Sequence, residues 1–295
     1  MRVRPLLLLA SALLVACTSK GGGGGDNGGN QDVDSDGDGL YDAEEAELGT
    51  DPASTDSDMD YMLDGDEVAA GTDPTVADTD GDTYLDGDEV LEGTDPLSGD
   101  SRIYTGYWPY NRDKDSLTDP GFEGRCREDQ QFPRTHYVDQ FGEEVDLYDF
   151  VGQDKLVVID VSAEWCYYCQ ELAKMLEGRR SYFDGYFPNV KGLVDNGDIY
   201  WVTVLAEDSS YRSGADQTAA AAERWAEQYE HPLIPVTGDA DYELTSWEGI
   251  GGYPWLAMID SNATIVDFDP RSNNVSPLYT LEEMVANGEL PSYAE

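Results

Sequence analysis

Between Lys20 and Arg102 the chain has no lysine or arginine, and its acidic residues recur there with a fixed period. Three twelve-residue segments read DSDGDGLYDAEE from Asp34, DSDMDYMLDGDE from Asp56 and DTDGDTYLDGDE from Asp78, so their starts lie 22 residues apart. The same four residues, GTDP, follow each one, beginning at Gly49, Gly71 and Gly93. Biased composition alone does not hold a register, so this is an internal array. Carboxylates this dense repel one another, and the segment has too few large apolar side chains to build its own core. It either stays a solvated acidic spacer or folds around cations. A net charge of −45, from 62 acidic and 17 basic residues, excludes nucleic acid as a partner.

The spacing favours cations. Each segment sets acidic side chains at loop positions 1, 3, 5, 9 and 12, the pattern by which an EF-hand loop wraps calcium. They are Asp34, Asp36, Asp38, Asp42 and Glu45; then Asp56, Asp58, Asp60, Asp64 and Glu67; then Asp78, Asp80, Asp82, Asp86 and Glu89. Position 7, which offers a backbone carbonyl, is Leu40, Met62 and Tyr84. Hard oxygen donors suit calcium, and the softer thiolate and imidazole ligands are absent. The sharp-turn position 6 is glycine only at Gly39, while Tyr61 and Thr83 stand there in the other two loops. Those loops are expected to be strained or differently shaped. No helical pattern leads into a loop and only a short one follows, as in Ala43 to Leu48, so these are not paired EF-hands. The segment from Asp32 to Asp100 resembles the bacterial thrombospondin type 3-like repeats, which implies structural calcium.

The first residues, MRVRPLLLLASALLVAC, combine two arginines, a short apolar run and a cysteine. The run is too short for the roughly 20 residues of a spanning helix and reads as a secretory signal. Leu14 to Cys17 resembles the lipobox of bacterial lipoproteins, which implies cleavage after residue 16 and acylation of Cys17. The glycine-rich stretch to residue 31 reads as a flexible tether. The expected location is the bacterial cell envelope, lipid-anchored and extracytoplasmic, where disulfides persist.

From Thr135 onward the composition becomes that of a globular domain. An apolar strand, Leu156 to Val161, turns directly into EWCYYCQ, where two of the four cysteines stand three residues apart. The helix that follows sets Leu172, Met175 and Leu176 on one face. A strand at Ile199 to Glu207, an alanine-rich helix at Asp216 to Tyr229, an antiparallel pair and a last helix complete the pattern. Thr280 and Glu283 in that last helix have capping-box spacing. This order predicts an α/β domain with a central mixed sheet flanked by helices. Together with VVIDVSAEWCYYC and the later Tyr253 and Pro254, it resembles thioredoxin over residues 132–295, and the insertion after the second strand is closer to the extracytoplasmic membrane-tethered thioredoxin-like oxidoreductases. Residues 101–131 read as a connector or extension packed on that domain.

Cys166 sits where a strand becomes a helix, facing free backbone amides at the positive end of the helix dipole, which favours thiolate. Cys169 is placed to resolve a mixed disulfide with a substrate. A zinc site would need a second close pair of soft ligands, and a structural bridge across so short a loop constrains the unfolded chain little. The thioredoxin resemblance implies that Asp160 moves protons to and from the buried cysteine and that Pro254 is a cis-proline facing the disulfide. Trp165, Tyr167 and Tyr168 read equally as a substrate surface or as packing. Cys126 reads as a buried bystander, a third redox thiol or an intermolecular bridge.

Two functions fit this sequence. One is a membrane-anchored thiol-disulfide oxidoreductase that acts on protein cysteines through a redox-active Cys166–Cys169 pair, with a redox partner and no organic cofactor. In it the calcium array serves as a spacer independent of the redox chemistry. The other is an adhesion or interaction lipoprotein with a redox-inactive thioredoxin-fold module.

Overall fold

The computed structural model describes residues 33–123, 126–239, 243–248, 250–269 and 275–293. The signal segment, Cys17 and the tether lie outside the described residues.

Each repeat is one acidic loop followed by a seven-residue helix: α1 (Asp42–Leu48), α2 (Asp64–Ala70) and α3 (Asp86–Glu92). The helices stop where the GTDP turns begin. Gly49, Gly71 and Gly93 adopt left-handed φ of 96°, 93° and 81°, and each returns its N–H to the carbonyl of Glu45, Glu67 or Glu89. Glycine takes this cap with no Cβ penalty. The three loops share one backbone shape. Positions 4 and 6 have positive φ in every copy: Gly37 and Gly39, Met59 and Tyr61, Gly81 and Thr83. Tyr61 at 76° and Thr83 at 91° are therefore forced into the conformation that glycine adopts freely. Of the two outcomes expected at position 6, strain is observed and a change of shape is not.

Successive repeats touch through glycine. The Gly65 N–H donates to Asp38 Oδ2 and the Gly87 N–H to Asp60 Oδ2, both at 3.1 Å. A methyl group at either glycine would collide with the carbonyl of the same aspartate.

The rest of the described chain is a seven-stranded mixed sheet in the order β2-β1-β5-β4-β3-β6-β7. The strands are β1 (His136–Asp139), β2 (Glu144–Asp146), β3 (Leu156–Ala163), β4 (Ile199–Glu207), β5 (Val236–Gly238), β6 (Trp255–Ile259) and β7 (Ile265–Phe268). Central β3 is parallel to β4 and antiparallel to β6. Buried on both faces, it is an almost continuous apolar run. Its side chains alternate between two cores: Val157, Ile159 and Val161 enter one, and Val158 enters the other. Helix α6 (Ala215–Gln228) supplies Ala221, Ala222 and Trp225 to the first core. The second core is closed by α4 (Tyr167–Leu176), α5 (Val190–Asp195) and α8 (Ser276–Ala286). The short α7 (Glu243–Glu248) lies between β5 and β6. With the cysteine pair at the junction of β3 and α4, this is the expected thioredoxin-like arrangement, extended by β5 and by the β1–β2 hairpin.

One local expectation fails. Helix α8 starts at Ser276, after a left-handed Val275, so Thr280 lies inside the helix and does not cap it. Its hydroxyl donates to Asp267 Oδ2 at 2.5 Å, which ties α8 to β7.

Candidate functional site

The two cysteines are joined as a disulfide, Cα to Cα 5.3 Å. Cys166 is the N-cap residue of α4, and its sulfur accepts the N–H of Cys169 at 3.2 Å. Cys166 is 4% exposed and Cys169 is fully buried, so an incoming thiol or disulfide has access to Cys166 alone. The Cys166 sulfur lies 3.3 Å from the carbonyl oxygen of Tyr253, and the Tyr253–Pro254 peptide is cis. The turn into α4 is held from outside. Arg224 pairs with both carboxylate oxygens of Glu164 at 2.8 and 2.7 Å, and the Trp165 indole donates to Glu207 at 2.8 Å.

Asp160 lies in the middle of β3, opposite Leu256 on one side and Thr203 on the other, and is 3% exposed. Burial pushes its carboxyl up to about 7. Ser162 donates to Oδ1 at 2.7 Å and Thr203 to Oδ2 at 3.4 Å, and these two hydroxyls together with Trp201 offset the burial only in part. Sequence reading had singled out the acid and missed these two partners; Ser162, two residues along the same strand, was the available signal.

Beside the disulfide, Pro254, Tyr168, Tyr182, Phe183 and Val275 line a pocket of about 340 Å³. Tyr167 and Tyr168 are 58% and 43% exposed, and their rings continue edge-to-face to Tyr182. A cavity of about 780 Å³ lies between Trp108, Phe141 and α6, and no cysteine lines it. Cys126 is buried in the same core as the disulfide.

In the array, loop positions 1, 3 and 5 converge. One carboxylate oxygen from each of Asp34, Asp36 and Asp38 lies within 4.8 Å of the others, and the same holds for Asp56, Asp58 and Asp60 and for Asp78, Asp80 and Asp82. A fourth cluster, Asp60, Glu67 and Asp86, joins the second repeat to the third. Position 9 has another duty within its own loop. Asp42, Asp64 and Asp86 each accept the backbone N–H of residue 2, at 3.0, 2.8 and 2.9 Å. The position-12 glutamates Glu45, Glu67 and Glu89 are fully buried. Burial first, and then neighbouring carboxylates, pushes Glu45 and Glu89 up to about 7 and Glu67 up to about 8.

Many of these oxygens have no donor. Both oxygens of Glu45, both of Asp58, and one each of Asp36, Glu67, Asp80, Asp82, Asp86 and Glu89 are buried without a hydrogen-bond partner. Buried anionic oxygens left this way are strongly disfavoured unless a cation satisfies them. The donor set fits a hard, oxygen-preferring divalent cation.

The array packs against the connector and the sheet domain. Tyr84, at position 7 of the third loop, is 5% exposed and belongs to the same core as Cys166 and Cys169. Its hydroxyl donates to the Trp108 carbonyl at 2.7 Å. Arg112 pairs with Asp88 at 2.8 Å, and the Tyr110 hydroxyl donates to Glu92 at 2.6 Å. The connector is fastened to the sheet in turn: Trp108 Nε1 donates to Asp139 at 2.8 Å, and Lys114 pairs with buried Asp149 at 2.8 Å.

The period also runs one unit further than the acidic pattern suggests. The Asp95 N–H donates to Ser101 Oγ at 3.0 Å, repeating Asp51 to Ser57 and Asp73 to Thr79, both at 2.9 Å. Asp100 and Ser101 thus open a fourth unit whose position 3 is Arg102, and the guanidinium stands 3.7 Å from Asp82 Oδ2. A built-in cation ends the array. The signal was the 22-residue step from Asp78 to Asp100.

Comparison with protein families agrees with the first half of this description. The bacterial TSP3 repeat family matches residues 34–55, 62–77 and 78–99. Among solved structures, similarity is found to a proposed protein disulfide isomerase from Bacteroides thetaiotaomicron, at 17% identity and TM-score 0.40, covering 56% of this chain and 93% of that one. The thioredoxin domain of a thiol-disulfide oxidoreductase from Bacteroides vulgatus is similar at 16% identity and TM-score 0.38, over 54% of this chain and 99% of that one. An exposed lipoprotein thioredoxin from Streptococcus pneumoniae is similar at 23% identity and TM-score 0.36, over 51% and 98%. Comparison with curated proteins gives no match. No helix among the described residues is long and apolar enough to cross a membrane.

Proposed function

We propose that the chain is an extracytoplasmic thiol-disulfide oxidoreductase whose redox domain is built onto a calcium-ordered repeat array. The observation that carries this reading is the geometry of the pair: Cys166 at the N-terminus of α4, the more exposed of the two, a buried Cys169 one turn on, and the backbone carbonyl of Tyr253 3.3 Å from the Cys166 sulfur.

When the disulfide is the oxidant, a substrate thiolate attacks Cys166 Sγ, the Cys166–Cys169 bond breaks, and Cys169 leaves as a thiolate. A second substrate thiolate then attacks the substrate sulfur of the mixed disulfide, releasing oxidised substrate and Cys166 thiolate, which the Cys169 amide N–H stabilises. In the reducing direction the same steps run backward, with Cys169 as the resolving thiol. Asp160 serves as the group that exchanges a proton with Cys169, since a carboxyl titrating near 7 can both give and take one at neutral pH. Substrates are protein thiols or disulfides, and a separate redox partner restores the pair.

Calcium, when bound, supplies the positive charge that the converged aspartates and buried glutamates need, and so turns binding free energy into folding free energy. Residues 32–100 form the array, 101–131 the connector and 132–295 the redox domain. Cys17 is the lipid-anchored mature terminus, and residues 1–16 are the removed signal.

The test is catalysis. The full chain without its signal, in calcium, should accelerate reduction of a disulfide-bonded reporter protein by dithiothreitol, and Cys166→Ser should abolish the acceleration. Equal rates with wild type and Cys166→Ser would remove the assignment.

A further inference from the structure

The third calcium loop differs from the first two in what its position-7 side chain does. Leu40 and Met62 are not part of the core that holds the redox cysteines, whereas Tyr84 is. Its backbone is fixed by the loop itself: the Tyr84 N–H donates to Asp82 Oδ1 at 3.1 Å, and Asp82 is one of the three converged carboxylates. Its side chain is fixed by the connector, with the hydroxyl on the Trp108 carbonyl at 2.7 Å and 3.4 Å from that of Tyr104. Tyr104 and Trp108 are anchored in turn on the buried aspartates Asp149 and Asp139, at 2.5 and 2.8 Å. An unbroken line of buried contacts therefore runs from the carboxylates of loop three to the sheet.

Like the other two, that loop has charge left to balance. Asp80 Oδ2, Asp82 Oδ2 and Glu89 Oε2 are buried without a hydrogen-bond donor, and the nearby Arg102 guanidinium brings one positive charge to one side of Asp82. Without a cation the three aspartates repel, and the backbone clasp on Tyr84 opens with them. The ring then loses the geometry that seats it under Trp108.

We propose that the third loop is a calcium-dependent latch on the redox domain: its occupancy holds Tyr84 in the shared core, so that calcium sets the stability of the oxidoreductase half and not only of the array. The inference rests on the calcium reading above but can fail separately from it. A ligand that binds the latched state alone shifts the unfolding equilibrium by mass action, about a hundredfold (about 2.7 kcal/mol) when free calcium is 100 times its dissociation constant.

The sequence provides a clean readout. All six tryptophans, at 108, 165, 201, 225, 247 and 255, lie in the connector and redox domain, so tryptophan fluorescence during urea unfolding reports that half alone. Wild type, the first-loop variant Asp34→Asn/Asp36→Asn and the third-loop variant Asp78→Asn/Asp80→Asn would each be unfolded with calcium and with chelator, while calorimetry measures calcium binding to each. The latch predicts a roughly hundredfold calcium-dependent change in the unfolding constant for wild type, retained within about threefold by the first-loop variant and lost in the third-loop variant. Tyr84→Leu, which installs the residue found at position 7 of the first loop, should keep calcium binding and lose most of the shift. Calcium binding to wild type with no shift in the tryptophan-monitored transition would overturn the latch and leave the calcium reading standing. Absence of binding would overturn both. An equal shift in wild type, the third-loop variant and Tyr84→Leu would also overturn the latch.

Discussion

Replacing Asp160 with asparagine should make the protein more stable at neutral and alkaline pH and leave it nearly unchanged in acid. The carboxyl is 3% exposed in the middle of β3, and burial raises its titration from 3.8 to about 7. The sign follows from proton counting. Below pH 4 the carboxyl is protonated in both folded and unfolded chains, so it has no effect on the difference. Between about 4 and 7 the folded state holds a proton that the unfolded state has released, and each rise in pH therefore destabilises the fold. Above about 7 both states are ionised and the full penalty is in place. The interval spans about three pH units at about 1.36 kcal/mol each, which gives an upper figure of about 4 kcal/mol. Asparagine keeps an acceptor for Ser162 and never ionises. Urea unfolding of the two proteins at saturating calcium, at pH 4.5, 6 and 8, gives the difference directly. Other raised carboxyls, such as Asp269 at about 6, are present in both and largely cancel. The stability gain of Asp160→Asn should grow from about 1 kcal/mol at pH 4.5 to about 4 kcal/mol at pH 8. A difference that stays flat from pH 4.5 to pH 8 would refute the buried-acid argument.

Three further outcomes are expected. Met59, 79% exposed at φ 65°, sits where only glycine is unstrained, so Met59→Gly should stabilise the calcium-loaded array by about 1 kcal/mol in thermal unfolding; a loss of stability would contradict the strain. Gly87→Ala drives a methyl group into the Asp60 carbonyl and should uncouple the second and third repeats, read as a loss of at least about 2 kcal/mol, whereas Gly81→Ala, with open space around it at φ 79°, should lose only about 1 kcal/mol. In the reduced protein, iodoacetamide at pH 7 should label Cys166 before Cys169 and Cys126, because the Cys166 sulfur receives an amide N–H at the start of α4; faster labelling of either other cysteine would reverse the assignment.

Long periodic features were readable from the sequence. The loops keep their register, strand β4 spans the residues expected of it, and the cysteine pair stands at a strand-to-helix turn, because apolar runs and fixed spacings report directly on burial and on backbone geometry. Features decided by tertiary contact were not. Strands β2 and β5 are three residues long and carry no periodicity of their own; pairing with β1 and β4 creates them. The start of α8 was misplaced because the Thr280 and Glu283 spacing imitates a cap, while the actual start is a left-handed Val275. The contact between array and sheet domain was not legible either, since nothing in a local pattern tells that Tyr84 enters the core of the sheet domain when Leu40 and Met62 at the same position do not belong to it. Even there a trace existed: an aromatic residue at a position otherwise filled by aliphatic ones, next to a connector rich in tyrosine and tryptophan.

The central claim, that Cys166 and Cys169 are a working exchange pair, is tested most directly by trapping. Cys169→Ser removes the resolving thiol, so reduced Cys169→Ser incubated with a disulfide-bonded reporter protein in calcium should accumulate a mixed disulfide through Cys166, seen as a dithiothreitol-sensitive adduct on a non-reducing gel and mapped by mass spectrometry. Wild type should show little adduct, and Cys166→Ser none. An adduct linked through Cys126, or no adduct with Cys169→Ser while Cys166→Ser retains exchange activity, would contradict the account.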